Sequence, residues 1–222
     1  MTLSAALLLA DSRIPTGAHA HSGGLEPALA AGLDPGDIPG FLRGRLATVA
    51  FTDSAIAACA LRLARAGELE ALARLELEAM ARVPSPPLRQ ASHALGRGLL
   101  RSASRMWPQD PTLAAWTARG APTPRPVALG VAGAAAGLGA IEVALVTLQA
   151  DLADVAFAAV RLLAADAAQA AAWLSDLGPE IERTARAAAD PLPPEELPSL
   201  GAPLIELRSL AHHEHGGRLF AS

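Results

Sequence analysis

The chain has 222 residues and a mass of 22.6 kDa, with 18 basic residues, all arginine, against 22 acidic ones and a formal net charge of −4. That length reaches a sizeable core, and a pI near 5.8 is not that of an electrostatic nucleic-acid binder, which carries a concentrated basic face. A single cysteine, Cys59, excludes a disulfide framework.

The hydrophobic half of the chain is mainly Ala and Leu; aromatics are 3% and Tyr is absent. Such a composition favours helix over sheet, so the expected fold is all-α: a single-domain bundle of roughly eight to ten helices. It spans residues 1–222, with 199–222 expected as a docking C-terminal tail.

An apolar run, Leu3 to Ala10, opens the chain. No basic segment precedes it and no cleavage pattern follows, so a secretory leader is not expected and the protein reads as cytoplasmic. The stretch from Asp11 to Glu26 is then a punctuated loop. Pro15 fixes its own φ and biases Ile14 away from the helical region, while Gly17, Gly23 and Gly24 permit positive φ. Loops shaped in this way carry function more often than packing.

Leu25 to Ala31 reads as a short helix stopped by Gly32, and Asp37 as a cap for a helix from Ile38 to Ala66. Gly67 ends it. Glu68 to Arg82 forms the next helix, with favourable pairs at Glu70–Arg74 and Glu78–Arg82. After the Pro-rich break at Val83 to Pro87, where Ser85 can cap, Leu88 to Trp107 is strongly amphipathic. Thr112 to Arg119 is short, and 120–126 is a Pro-rich connector. Val127 to Ile141 carries no charge, but it is too short to span a bilayer. Extending it places Glu142 near the centre, at a cost of ~2.5–3.5 kcal/mol. A buried core helix and no membrane partner are expected. Leu145 to Ala165 continues as helix, and Gly178-Pro179 is expected to divide Asp166–Leu177 from Glu180–Ala189. A Pro-rich connector comes next, and the tail from Ser199 has no clear local preference.

Few groupings point to chemistry. No nucleophile elbow is present, and a phosphate loop cannot form without lysine. His19 and His21, with His212, His213 and His215, hold five of the six histidines, and imidazole suits nickel, zinc or copper. Without cysteines the clusters lack a closed structural-zinc pattern, so they are read either as hydrogen-bonding and solvated groups or as a transient nickel contact. No resident cofactor or metal site is expected. Cys59 reads as a small buried hydrophobe, and His93 as an ordinary helix histidine. Arg89, Arg97, Arg101 and Arg105 form a stripe at helical spacing that is either solvated or meets an acidic partner. At the chain end, Leu219-Phe220 places apolar side chains where a terminus would normally fray. The tail therefore docks, on its own bundle or in a partner's pocket.

The loop also carries a resemblance. Asp-Ser-x-x-Pro-x-Gly (Asp11 to Gly17) followed by His-Ser-x-Gly-Leu-Glu (His21 to Glu26) resembles the N-terminal signature of the UreF family of urease accessory proteins. Arg89, Ser92, Gly96 and Leu99-Leu100 resemble that family's central Arg-x-x-Ser-x-x-x-Gly helix. His213-Glu214 and Arg218 to Ser222 resemble its C-terminal pattern. The three anchors span nearly the whole chain, although Leu163 to Asp166 departs from the Pro-Leu-Gly-Gln expected after Val160-Arg161-Leu162.

The resemblance implies an all-helical homodimer with no reaction of its own. It would bridge the UreD/UreH protein and the UreG GTPase for nickel delivery into apo-urease, modulating GTP hydrolysis by the partner. By the same resemblance, partner-binding residues would be Pro15, Gly17, His19, His21, Ser22, Leu25, Glu26, Arg89, Gly96, His213, Glu214, Arg218, Leu219, Phe220 and Ser222. The tail is then expected in a partner's pocket. The alternative is a nickel-carrying metallochaperone that binds metal through its His clusters.

Overall fold

The computed structural model describes residues 2–11, 13–214 and 219–220. The described residues form helices and connecting loops, with no strand. In chain order the helices are α1 (Thr2–Ala10), α2 (Leu25–Ala30), α3 (Ile38–Arg45), α4 (Phe51–Ala66), α5 (Leu69–Ala81), α6 (Pro86–Met106), α7 (Pro111–Ala118), α8 (Arg125–Ala135), α9 (Ala140–Leu163), α10 (Ala167–Ala188) and α11 (Pro203–Glu214). The fold is the expected all-α bundle.

Every residue from Ser54 to Leu61 is buried, so α4 is enclosed on all sides. It packs against α5, α8, α9 and α10, while α8 also meets α6, α1 lies on α9, and α11 lies on α2 and α6. Small residues make this closeness possible: α4 presents Ala55, Ala57, Ala58 and Ala60, all fully or almost fully buried. The stretches 35–66 and 140–163 are long and apolar enough to cross a membrane, yet 61% and 67% of their most apolar windows are buried in the bundle.

Local chemistry sets the helix ends. Ser85 Oγ accepts the Leu88 N–H at 3.5 Å, Asp110 that of Leu113 at 2.7 Å, and Asp166 that of Ala168 at 2.9 Å. Gly67, at φ +71°, closes α4, with the Glu68 N–H returning to Leu63 O. Glu142 is the carboxylate that would stand mid-membrane in a spanning helix. It sits in the first turn of α9 and accepts the Gly139 N–H at 2.6 Å. The apolar segment is thus broken between α8 and α9 rather than running on as one helix.

Two further boundaries differ from the sequence reading. α10 runs unbroken through Pro179. Pro179 and Ser175, whose carbonyl it leaves unpaired, both lie on the exposed side, where water replaces the lost hydrogen bond. The helix expected from Ile38 to Ala66 is one continuous rod, but α3 and α4 are joined by a π-helical turn, Leu46–Ala50. The extra residue there rotates the faces of α4 relative to those of α3, a device common at functional sites.

Candidate functional site

The opening loop begins with a local clamp. Both Asp11 oxygens accept from the Arg13 side chain, at 2.5 to 3.0 Å, and Oδ1 also takes the Arg13 N–H. These hydrogen bonds pull the Asp11 carboxyl down to about 2. Gly17 then turns the chain at φ +90°, and a short 3₁₀ turn, Ala18–Ala20, leads to His21. His19 is exposed, whereas Ser22 is fully buried, with its Oγ accepting the Glu26 N–H at 3.2 Å.

The central helix serves this loop and its neighbour from below. A Cβ on Gly98 would sit 2.5 Å from Thr16 O, and one on Gly96 would overlap Thr123 O. Ser92 Oγ accepts the Arg125 N–H at 3.0 Å. Arg89 donates to Val83 O and Pro84 O, each at 2.7 Å. Three of the family-like positions on α6 therefore hold connectors in place. Arg97, Arg101 and Arg105 are exposed.

At the other end, Glu26 accepts the backbone N–H groups of Leu219 and Phe220 at 2.7 and 2.9 Å. Phe220 is buried, its ring 4.6 Å from the Arg161 guanidinium. In the isolated chain Phe220 thus occupies a groove of its own bundle, one of the two dockings open to the tail, because an aromatic ring is stabilised by whichever apolar surface it reaches. Ser22, Leu25 and Gly96 are likewise buried and shape the surface from beneath rather than presenting it. Pro15, His19 and Leu219 are exposed, while Gly17, His21, Glu26 and Arg89 are half-buried. The backbone of His213 and Glu214 ends α11; their side chains, like Arg218, Ser222 and the tail's third histidine, lie outside the described residues. Among the described residues no His, Cys, Asp and Glu group has the arrangement of a metal site.

The polar centre of the fold was not apparent from the sequence. Arg45 forms a bidentate pair with Asp151, at 2.6 and 2.8 Å, and donates to Gly23 O at 2.7 Å. Arg125 pairs with Asp154 at 2.8 Å. Asp53 joins them along a cavity of about 120 Å³, whose wall also includes His21, Ile205 and Glu206. Burial pushes the Asp53 carboxyl up to about 7, and the Asp151 charge adds to this while Arg45 and Arg125 oppose it. Burial acts on Asp151 too, but the Arg45 and Arg125 guanidiniums outweigh it and hold that carboxyl below its usual range. For Asp154 burial prevails over Arg125, and the carboxyl is raised. His21 is lowered by burial and by the charges of Arg125 and His19. The available signal was isolation: Asp53 is the only charge between Arg45 and Arg62, and Asp151 and Asp154 the only ones between Glu142 and Arg161. A lone carboxylate in an apolar helix needs a buried partner.

α11 closes this cavity in an unusual orientation. Ile205 and Ser209 face inward and are buried, and Glu206 is half-buried. Ser85 bonds to both of the polar residues, its N–H to Glu206 at 2.7 Å and its Oγ to Ser209 Oγ at 2.6 Å. Leu204, Leu207 and Leu210 face solvent, 61%, 63% and 44% exposed. The helix turns its polar groups to the protein and its leucines to water.

Comparison with known proteins agrees with the sequence anchors. The UreF family profile matches residues 33–178. A urease accessory protein UreF from Mycolicibacterium vanbaalenii is 40% identical, covering 100% of this chain and 99% of that protein. The protein of the same name from Mycobacterium sp. strain JLS is also 40% identical, and that from Mycobacterium tuberculosis 38%, each over the same shares of the two chains. The loop, the central helix and the full-length identity together place this chain in the UreF family of urease accessory proteins, whose work is urease maturation.

Proposed function

We propose that this chain is a cytoplasmic, non-catalytic adaptor that bridges UreD/UreH and the UreG GTPase while nickel is delivered to apo-urease. It acts as a homodimer and as one folded unit, with the segment 199–222 as the docking tail. GTP hydrolysis belongs to UreG, and this chain sets when it occurs by what it holds beside it. Nickel is cargo of the assembly, with no resident cofactor in this subunit.

One observation carries the reading: the outward leucines of α11. A helix that turns Leu204, Leu207 and Leu210 to water leaves apolar surface whose burial by a partner is favourable at ~25 cal/mol per Å². Leu200 and Leu219, 46% and 63% exposed, belong to the same C-terminal segment. The opening loop lies nearby, tied to the tail through Glu26. A docking surface needs exposed apolar area rather than a catalytic set, and the outward leucines supply such area.

The test is co-purification. Leu204→Asp with Leu207→Asp alters only exposed positions, so the variant keeps its helical circular dichroism and melting temperature but no longer retains UreD/UreH or supports urease activation. Undiminished complex formation by this variant would refute the α11 docking surface.

A further inference from the structure

The cavity beneath α11 contains an imbalance that the adaptor role does not use. Three guanidiniums, Arg45, Arg82 and Arg125, line it with four carboxyls, Asp53, Asp151, Asp154 and Glu206. Asp151 and Asp154 each have an arginine partner. Asp53 is half-buried and makes no ion pair among the described residues, so its ionisation leaves one negative charge uncompensated in a partly enclosed cavity. Such a charge is costly, and the least costly remedies are a bound proton or the admission of water.

The lid determines which remedy operates. Thr52, next to Asp53 in sequence, exchanges two hydrogen bonds with Leu200, accepting from its N–H at 3.1 Å and donating to its carbonyl at 3.2 Å. Leu200, Gly201, Ile205 and Glu206 then roof the cavity. The segment is held by polar contacts at Thr52 and Ser85 and by one buried apolar side chain, Ile205, because the leucines of α11 point away from the protein. An element held by so few buried apolar groups is the first to open locally. The π-helical turn Leu46–Ala50 lies between Arg45 and Asp53 in the chain, and both side chains line the cavity.

We propose that this cavity is a proton-controlled latch: a proton on the Asp53 carboxyl keeps the 200–206 roof and α11 seated, and its loss loosens them. The latch is a property of the isolated chain and is independent of which partner, if any, docks on α11.

The groups facing Asp53 set the direction of the effect. Arg45 from α3, Arg125 from α8, and Arg82 at the end of α5 supply the guanidiniums of the lining. Asp151 from α9 is held ionised by Arg45 and does not titrate near neutrality. Asp154, also on α9, and Glu206 on α11 are raised by burial and therefore favour closure at low pH, as Asp53 does. His21 from the opening loop is lowered, so its protonation below its usual range opposes closure. α6 lines the cavity with Leu88, Ala91, Ser92 and Leu95 only. In the closed state Asp53 binds its proton more tightly than in an open, hydrated state. Opening therefore becomes easier as pH rises toward the closed-state value near 7, and levels off above it.

Hydrogen exchange on the purified full-length chain, corrected for intrinsic rates, reads this directly. The opening constant of the α11 amides in wild-type protein rises roughly tenfold per pH unit approaching neutrality, the signature of one proton, and is flat above it. Asp53→Asn takes away the share of the slope that Asp53 supplies, leaving only that of Asp154 and Glu206, and keeps α11 protected near neutrality. His21→Gln keeps the slope. A flat wild-type profile, an unchanged slope in Asp53→Asn, or a slope lost in His21→Gln would each overturn the latch. If Asp53→Asn does not fold, the wild type still decides. The Asp53 carboxyl carbon and the Ile205 methyl resonances share one titration midpoint if the latch exists, and separate midpoints reject it.

Discussion

Gly17 turns the opening loop at φ +90°, and an added Cβ there would meet no atom within 4 Å. The demand on this residue is conformational rather than spatial, which separates two substitutions. Gly17→Val forces a β-branched residue into the left-handed region and costs about 1–2 kcal/mol. Gly17→Asn, whose side chain tolerates that region, costs less. Urea midpoints of the two variants check the order, and equal stability for Val and Asn would contradict a backbone origin. Ala164, at φ +51° beyond the end of α9, shows the opposite case: a non-glycine residue tolerates the strained position where the chain departs from the family's pattern.

Among the elements, α6 shows how a motif expected to meet partners first builds its own fold. Ser92 anchors the Arg125 N–H, and Gly96 lets Thr123 O approach the helix axis. The same Thr123 accepts the Trp116 indole N–H at 3.1 Å through its hydroxyl. Gly96→Ala therefore displaces the 123–125 connector and costs about 1–3 kcal/mol, the usual penalty for overpacking. The Trp116 indole proton in an NMR spectrum reports the displacement, and an unshifted resonance would show that the connector had not moved. Helix periodicity, caps at Ser85 and stops at Gly67 were legible in the sequence because they are written within a few neighbouring residues. The π-helical turn was not, since one extra residue per turn leaves no compositional trace. Nor was the continuity of α10 through Pro179, which depends on that side of the helix facing water. The meeting of Arg45 and Asp53 with Arg125 and Asp151 needed residues as much as about a hundred positions apart to converge, and only the isolation of each charge in an apolar helix hinted at it.

For the whole molecule, the buried charges predict how stability depends on pH. A raised carboxyl such as Asp53 binds a proton in the folded state that it gives up on unfolding, so its favourable contribution is full below about pH 4 and is lost as pH rises through about 7. Asp154 and Glu206, also raised, act in the same direction. Asp151 acts in the opposite direction: held ionised by Arg45, it contributes above its unfolded value and the contribution is lost on acidification. His21 and His93, both lowered by burial, also weaken the fold as pH falls below their usual range. These opposing trends flatten the wild-type profile, so a single curve does not isolate any one group. The difference between wild type and Asp53→Asn does, because every group remote from the cavity cancels. Asn cannot ionise, so it spares the fold a buried charge at pH 8, where the variant is the more stable by on the order of a few kcal/mol. That advantage shrinks as pH falls toward 5, where wild-type Asp53 is itself neutral. Urea unfolding of both proteins at several pH values measures the difference. An advantage that stayed constant across the range would mean that Asp53 is already neutral, or already solvated, at every pH, and that the cavity does not withhold water from it.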